Sequence, residues 1–193
     1  MPNSDQVSKV RLSDFDPSIG LDRGASKAKE AFWYVTKMIF FLTAFPFPSK
    51  LKITLLTWFG AKMGKNIVIK PRVNIHMPWK LEIGDYSWLG EEVLILNFEL
   101  VKIGRNVCIS QKAFLCCGNH DYYNPAFNYR NGPITIEDGA WIGASCFVGP
   151  NVTIGFDTVI TAGSVITSDL DSNGIYKGNP PVRLKDRWVN QTS

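Results

Sequence analysis

The chain has 193 residues, enough for one substantial domain with an appendage and a core of its own. At 45% hydrophobic and 20% charged, with a net charge of +4, it has an ordinary globular composition. The mild charge suits an anionic ligand. Without an Arg-rich stripe or an interleaving of basic and aromatic residues, it gives no sign of nucleic-acid binding.

Residues 1–25 are polar and read as an arm. The absence of an apolar stretch between Met1 and Gly24 argues against a signal peptide. Four cysteines, Cys108, Cys116, Cys117 and Cys146, form no CxxC pair. They read as reduced, small apolar residues in a cytoplasmic protein.

Residues 26–62 are expected to be helical, with Lys27, Lys29 and Glu30 on a polar start. The run AFWYVTKMIFFLTAFPFP (31–48) is apolar and aromatic but interrupted by Lys37 and ended by Pro46 and Pro48. It is shorter than the ~20 residues a spanning helix needs. With the apolar stretch at 51–59, it would either pack on the domain or a partner copy, or rest on the inner face of a membrane.

From residue 63 a repeat sets the fold. Between Ile134 and Asp169 the chain divides into sixes: ITIEDG, AWIGAS, CFVGPN, VTIGFD, TVITAG and SVITSD. The third position is aliphatic each time: Ile136, Ile142, Val148, Ile154, Ile160 and Ile166. A helix needs a 3.6-residue period and a half-buried strand a period of 2. A period of six instead matches one face of a triangular coil, with glycine or a small polar residue at corners where φ is positive. Upstream, Ile83, Leu89 and Ile95 recur 20 residues later as Ile103, Ile109 and Leu115, and Ile69 stands 20 before Leu89. Each early coil therefore carries two extra residues at one corner. The longer gap from Leu115 to Ile136 predicts a loop at 116–133 that leaves the coil.

The expected organisation is thus an arm and helical segment (1–62), a parallel β-helix (63–170) and a C-terminal part (171–193) with two turns. Residues 182–189 of that last part would form a short basic helix.

Among candidate functional residues, His120 sits in the one long excursion from the coil, where rigid scaffolds display catalytic groups. Imidazole suits deprotonation of a hydroxyl at neutral pH. Asp121 or a main-chain carbonyl would hold its tautomer. His76, in VNIHMP, reads as structural or substrate-adjacent. Cys117 lies three residues from His120, but nothing in the sequence suggests an activated thiolate. With two histidines and no cluster at ligand spacing, no metal is expected.

The segments HMPWKLEIGDYSWLGE (76–91), VKIGRNVCISQKAFLCCGNHDYYNPAF (101–127), PITIEDGAWIGASCFVGPNVTIG (133–155), AGSVIT (162–167) and GNPPVRLKDR (178–187) resemble hexapeptide-repeat O-acetyltransferases. The resemblance is strongest to the colanic acid biosynthesis acetyltransferases, which serve exopolysaccharide pathways. It covers about residues 26–187 and supplies the left hand of the coil, which spacing alone does not fix. It implies acetyl-CoA as donor, a sugar hydroxyl as acceptor and His120 as the general base. Trp141 matches a tryptophan beside the thioester end of CoA, and Ala144 a position whose N–H faces the thioester oxygen. Gly143, Ala162 and Gly163 would lie along the pantetheine, with Arg183 and Lys185 at the phosphates. Asn97, Asn119 and Tyr122 are the acceptor-binding candidates, because Gly90 stands where relatives acting on simple galactosides carry an acceptor-binding asparagine. A homotrimer would supply the cleft that one flat-faced prism lacks. The alternatives are another acyl donor, an amino-sugar nitrogen as acceptor, or a non-catalytic structural β-helix.

Overall fold

A computed structural model describes residues 9–189. The first eight residues of the arm and the last four of the C-terminal segment lie outside it. Two helices precede a coil of short strands. Helix α1 (Lys27–Phe40) begins where the Ser26 side chain accepts a hydrogen bond from the Lys29 N–H, a standard N-cap. Helix α2 (Ser49–Trp58) starts directly after Pro48.

The strands of the coil are β1 (Lys62–Met63), β2 (Val68–Ile69), β3 (Asn74–Ile75), β4 (Leu81–Ile83), β5 (Trp88–Leu89), β6 (Leu94–Leu96), β7 (Val101–Ile103), β8 (Cys108–Ile109), β9 (Phe114–Cys116), β10 (Ile134–Ile136), β11 (Trp141–Ile142), β12 (Phe147–Val148), β13 (Val152–Ile154), β14 (Val159–Ile160), β15 (Val165–Ile166), β16 (Gly174–Lys177) and β17 (Val182–Asp186). They stack into three sheets, which are the faces of a prism. The first face runs β1-β4-β7-β10-β13, the second β2-β5-β8-β11-β14-β16-β17, and the third β3-β6-β9-β12-β15. Every pairing within the coil is parallel, as in the left-handed β-helix of hexapeptide-repeat proteins, with about six turns.

The aliphatic positions at the six-residue period pile into columns. Ile69, Leu89, Ile109, Ile142 and Ile160 stack on the second face, and Ile75, Ile95, Leu115, Val148 and Ile166 on the third. All are buried in one continuous core. Burying such a side chain contributes roughly 1.5–3 kcal/mol, so the columns dominate the stability of the coil. The two helices close one end. Trp33 is buried, its ring set against Phe41 and Phe59, and its indole N–H donates to the Ile75 carbonyl at 3.1 Å.

Two details differ from the sequence reading. The glycine that follows an aliphatic residue is not the corner with positive φ. At Gly143 a Cβ would stand 2.6 Å from Ala162 N and Ile160 O, so the residue is small because the next coil presses on it. Positive φ falls two residues later, at Ser145 (φ 56°), Asn151 (60°), Asp157 (54°) and Gly163 (72°). The described residues of the C-terminal part also contain no helix. Residues 182–186 form strand β17, which runs antiparallel to β16 and extends the second face. The parallel stack leaves the edge of β16 with unpaired main-chain groups, and a returning strand satisfies them where a helix would not.

The extra residues of the early coils all lie on one edge, between the third face and the first face of the next coil. In the first coil they fall between Ile75 and Leu81, in the second between Leu96 and Val101, and in the third the edge opens into the 116–133 loop.

Candidate functional site

The loop is held as a narrow antiparallel arch. His120 pairs with Tyr129, the Asp121 N–H donates to Asn128 O, and the Arg130 N–H donates to Asn119 O. At its tip the side chains of Asp121 and Asn124 accept from the N–H groups of Tyr123 and Ala126. These are tight turns of the kind short polar side chains favour.

Within this arch the His120 imidazole is fixed on several sides. Its Nδ1 lies 2.6 Å from the Phe127 carbonyl oxygen. A carbonyl only accepts, so Nδ1 carries the proton and Nε2 is left as the basic nitrogen. The ring stacks on Phe127 (centroids 4.3 Å apart, planes 5° apart), leans on Tyr129 at 4.8 Å and meets Phe15 edge-on at 5.5 Å. Asp121, the other candidate for holding the tautomer, instead accepts the Tyr123 N–H on its carboxylate.

The sequence did not single out Phe127, Tyr129 or Phe15. Phe15 comes from the arm, which lies along the loop. The Arg11 N–H donates to Pro125 O, and the Asn131 side chain donates to Gly20 O. The one available signal was that Phe15 is the lone aromatic of the polar first 31 residues.

Of the acceptor candidates, Tyr122 is exposed beside Tyr123 and free to meet a ligand. Asn119 is also exposed, although its side-chain Oδ1 already accepts the His120 N–H. Asn97 is different. It is fully buried, accepts from Met77 N–H at 2.8 Å, and donates to the carbonyls of Met77 and Lys80. Its amide ties together two successive widened corners and has no donor left for a substrate.

The donor candidates gather elsewhere. Trp141 faces outward from the second face, its indole N–H on Ser110 Oγ at 2.9 Å. Ala144, Ala162 and Gly163 lie on the edge between the second and third faces. Ala162 and Gly163 are exposed, and a Cβ on Gly163 would meet nothing within 4 Å, so this edge is an open shelf. Gly143 lies beneath it, buried by coil stacking. Arg183 and Lys185 sit on exposed β17, where the Arg183 guanidinium is occupied by Tyr176 Oη and Asp186. Lys185 is thereby the freer cation of the two.

Burial pushes the Cys117 thiol up to about 12 and raises those of Cys108, Cys116 and Cys146 as well. Among the described residues, no group of three or more His, Cys, Asp or Glu is placed to hold a metal ion.

A family model for the bacterial transferase hexapeptide (six repeats) matches residues 133–168. WcaF of Escherichia coli strain K12, named as a candidate colanic acid biosynthesis acetyltransferase, is 38% identical over 176 residues, covering 91% of this chain and 96% of its own. The chain belongs to the hexapeptide-repeat acetyltransferase family. The galactoside O-acetyltransferase of E. coli K12 is 32% identical to this acetyltransferase over 125 residues, covering 62% of this chain and 61% of its own. Among solved structures, the hexapeptide-repeat acetyltransferase VCA0836 of Vibrio cholerae, complexed with acetyl coenzyme A, superposes with a TM-score of 0.76 at 22% identity, covering 86% of this chain and 92% of its own. A galactoside acetyltransferase in complex with coenzyme A gives 0.74 at 23%, covering 83% and 82%. These two share the fold of this acetyltransferase.

Proposed function

We propose that this protein transfers the acetyl group of acetyl-CoA to a sugar hydroxyl, with His120 as general base, in the building of an exopolysaccharide. The observation that carries the reading is the His120 imidazole, locked by the Phe127 carbonyl with its Nε2 nitrogen free. In this mechanism Nε2 takes the proton from the acceptor hydroxyl as that oxygen attacks the thioester carbonyl. The imidazolium keeps its Nδ1–H bond to Phe127 O and then returns a proton to the departing CoA sulfur. The products are the acetyl ester and free CoA, and no covalent enzyme intermediate is needed. The Ala144 N–H, with no hydrogen-bond acceptor among the described residues, is the candidate donor to the tetrahedral oxyanion. Exposed Trp141 and the Ala162–Gly163 shelf suit a thin pantetheine arm, with Lys185 toward its phosphates.

His120 and the shelf lie on different edges of the prism. A neighbouring copy that brings its shelf to this loop would complete the cleft, which supports a homotrimer. The outward side chains agree. The first face presents Lys62, Glu82, Lys102, Thr135 and Thr153, whereas the third presents Asn74 and then the apolar Leu94, Phe114, Phe147 and Val165. A face of the second kind is suited to a partner.

The test is transfer to a panel of sugar acceptors. His120→Ala should lower turnover by about 10²–10⁴-fold while acetyl-CoA still raises the melting temperature. Near-wild-type turnover would remove His120 from the reaction.

A second reading concerns location. No helix among the described residues is long and apolar enough to cross a membrane. Phe32, Met38, Ile39, Phe45 and Trp58 are nonetheless exposed on and around the two helices. This supports a resting place on the inner membrane face through residues 31–59, as an interfacial anchor. Deleting the segment would also remove core residues Trp33, Phe41 and Leu56. The cleaner variant is Phe32→Ser, Phe45→Ser and Trp58→Ser together. It should lose cosedimentation with anionic vesicles yet keep its fold by circular dichroism, and unchanged cosedimentation would refute the anchor.

A further inference from the structure

A cavity of about 410 Å³ opens between α1 and the coil, on the same prism edge as the His120 loop. Its walls include Arg23 from the arm, Lys27, Tyr34 and Lys37 from α1, and His76 and Trp79 from the widened corner of the first coil. The volume lies in the range of small-ligand sites.

Lys37 is the feature that calls for an occupant. It is only 7% exposed and makes no hydrogen bond or ion pair among the described residues; its ammonium group stands 5.7 Å from the centre of the Tyr34 ring at the rim. Another buried lysine shows how this fold treats a purely structural one. Lys52 is 0% exposed, and its Nζ donates to the carbonyls of Ile69 and Lys70. Burial of its stem disfavours the charged form and lowers the pKa of Lys37 from its ordinary value, while the ammonium group still reaches the open hollow. The only carboxylate in the cavity wall, Glu30, is already held by the Arg23 guanidinium through two hydrogen bonds of 2.6 Å. Lys27 and Lys37 leave the hollow with positive charge, and His76 beside them, its pKa lowered by burial and by the nearby cations, offers a neutral imidazole for hydrogen bonding.

The remaining wall is aromatic and fixed. The Trp79 indole N–H donates to Arg23 O at 2.7 Å, and Tyr34 stands exposed at the rim. Flat rings beside hydrogen-bonding and charged groups are what a sugar bearing an anion requires. A chain of ring contacts also links the cavity wall to the His120 loop. His76 meets Phe98 at 5.2 Å, Phe98 meets Tyr129 at 5.7 Å, and Tyr129 leans on His120 at 4.8 Å. His76 and the loop belong to the first and third coils, so about 10 Å of axial rise separates them.

We propose that this cavity is an acceptor subsite for an oxyanion, a phosphate or a carboxylate, carried by the same glycan that presents its hydroxyl to His120. Lys37 is the main partner of the anion, His76 and Lys27 flank it, and the adjoining sugar ring lies against Trp79 and Tyr34. The assignment rests on the acetyltransferase reading and narrows its substrate to anionic acceptors that span the two coils.

The experiment is calorimetric titration of the full chain, wild type and Lys37→Met, with glucose 1-phosphate, glucuronate and glucose. Circular dichroism and the melting temperature would show that the variant folds. Removing a charge that burial disfavours should leave its melting temperature equal or higher. The wild type should bind at least one of the two anions, with an affinity at least tenfold above that for glucose. Lys37→Met should lose at least tenfold of that affinity. A preference for the phosphate ester points to a phosphate-linked acceptor, and a preference for the uronate to an acidic sugar. Equal weak binding of all three, or anion binding unchanged in Lys37→Met, overturns the subsite. So does a variant that falls apart into monomers while no anion binds the wild type, because a partner copy then fills the cavity. The melting shift with acetyl-CoA is read in the same preparations. Its absence alongside anion binding would sink the acetyltransferase reading, whereas its presence without anion binding would sink only the subsite.

Discussion

Asn97 and His120 are polar residues that lie one coil apart on the same edge. Their surroundings give them opposite duties. His120 keeps one nitrogen free, whereas Asn97 spends its whole amide on main-chain groups of the preceding coil. Asn97→Ala would strand the Met77 N–H and two carbonyls away from water, at a cost of about 3 kcal/mol. Its expected signature is a lower urea midpoint with no selective rise in acceptor KM. A selective rise in KM at unchanged stability would instead make Asn97 a substrate ligand. The sequence offered Asn97 as an acceptor residue because spacing locates a residue on an edge but does not say whether its side chain points in or out. His120 was legible because a histidine in the only long break of a strict period stands out. Its cage was not legible, since Phe15 and Phe127 reach it from 105 residues before and 7 residues after.

At the scale of the element, the corner is the unit of this coil. Its glycines serve two physical purposes that a sequence does not separate. Gly143 is small because the corner of the next coil lies against it, with main-chain atoms 2.6 Å from any added Cβ. Gly163 has open space around that position but a left-handed backbone at φ 72°. Gly143→Ala should therefore force the coils apart and cost about 3 kcal/mol, whereas Gly163→Ala should cost roughly 1–2 kcal/mol. Thermal melts of the two variants give the order directly, and a larger loss at Gly163 would contradict this division. The methyl of Gly163→Ala would also stand on the proposed pantetheine shelf, so its acetyl-CoA affinity should fall while that of Lys37→Met should not. The C-terminal strand belongs to the same scale. Residues 182–189 follow two prolines and carry basic charge, which suits a helix locally, but the open edge of β16 offers main-chain partners that outweigh local preference.

At the scale of the whole molecule, His120 and the Ala162–Gly163 shelf occupy different edges of one prism, so on the proposed mechanism activity and assembly should be lost together. Phe147→Glu places a charge in the outward apolar column of the third face, next to Phe114 at 5.4 Å between ring centroids. The expected outcome is a monomer by sedimentation, with turnover lowered at least about 100-fold through loss of alignment. A fully active monomer would show that one chain completes the site alone.

The period of six, the 20-residue coils and the break at 116–133 determined the β-helix by themselves. A repeating inward aliphatic has one periodic solution, and each insertion must leave the coil. The resemblance of the loop and corner segments to O-acetyltransferases named the chemistry. Only the tertiary structure decided that all the insertions share one edge. It therefore also decided that the arm covers the His120 loop and that Lys37 closes a cavity on the same side. Those relations join residues far apart in sequence, and a one-dimensional period contains no information on which side chains the stacked corners bring into contact.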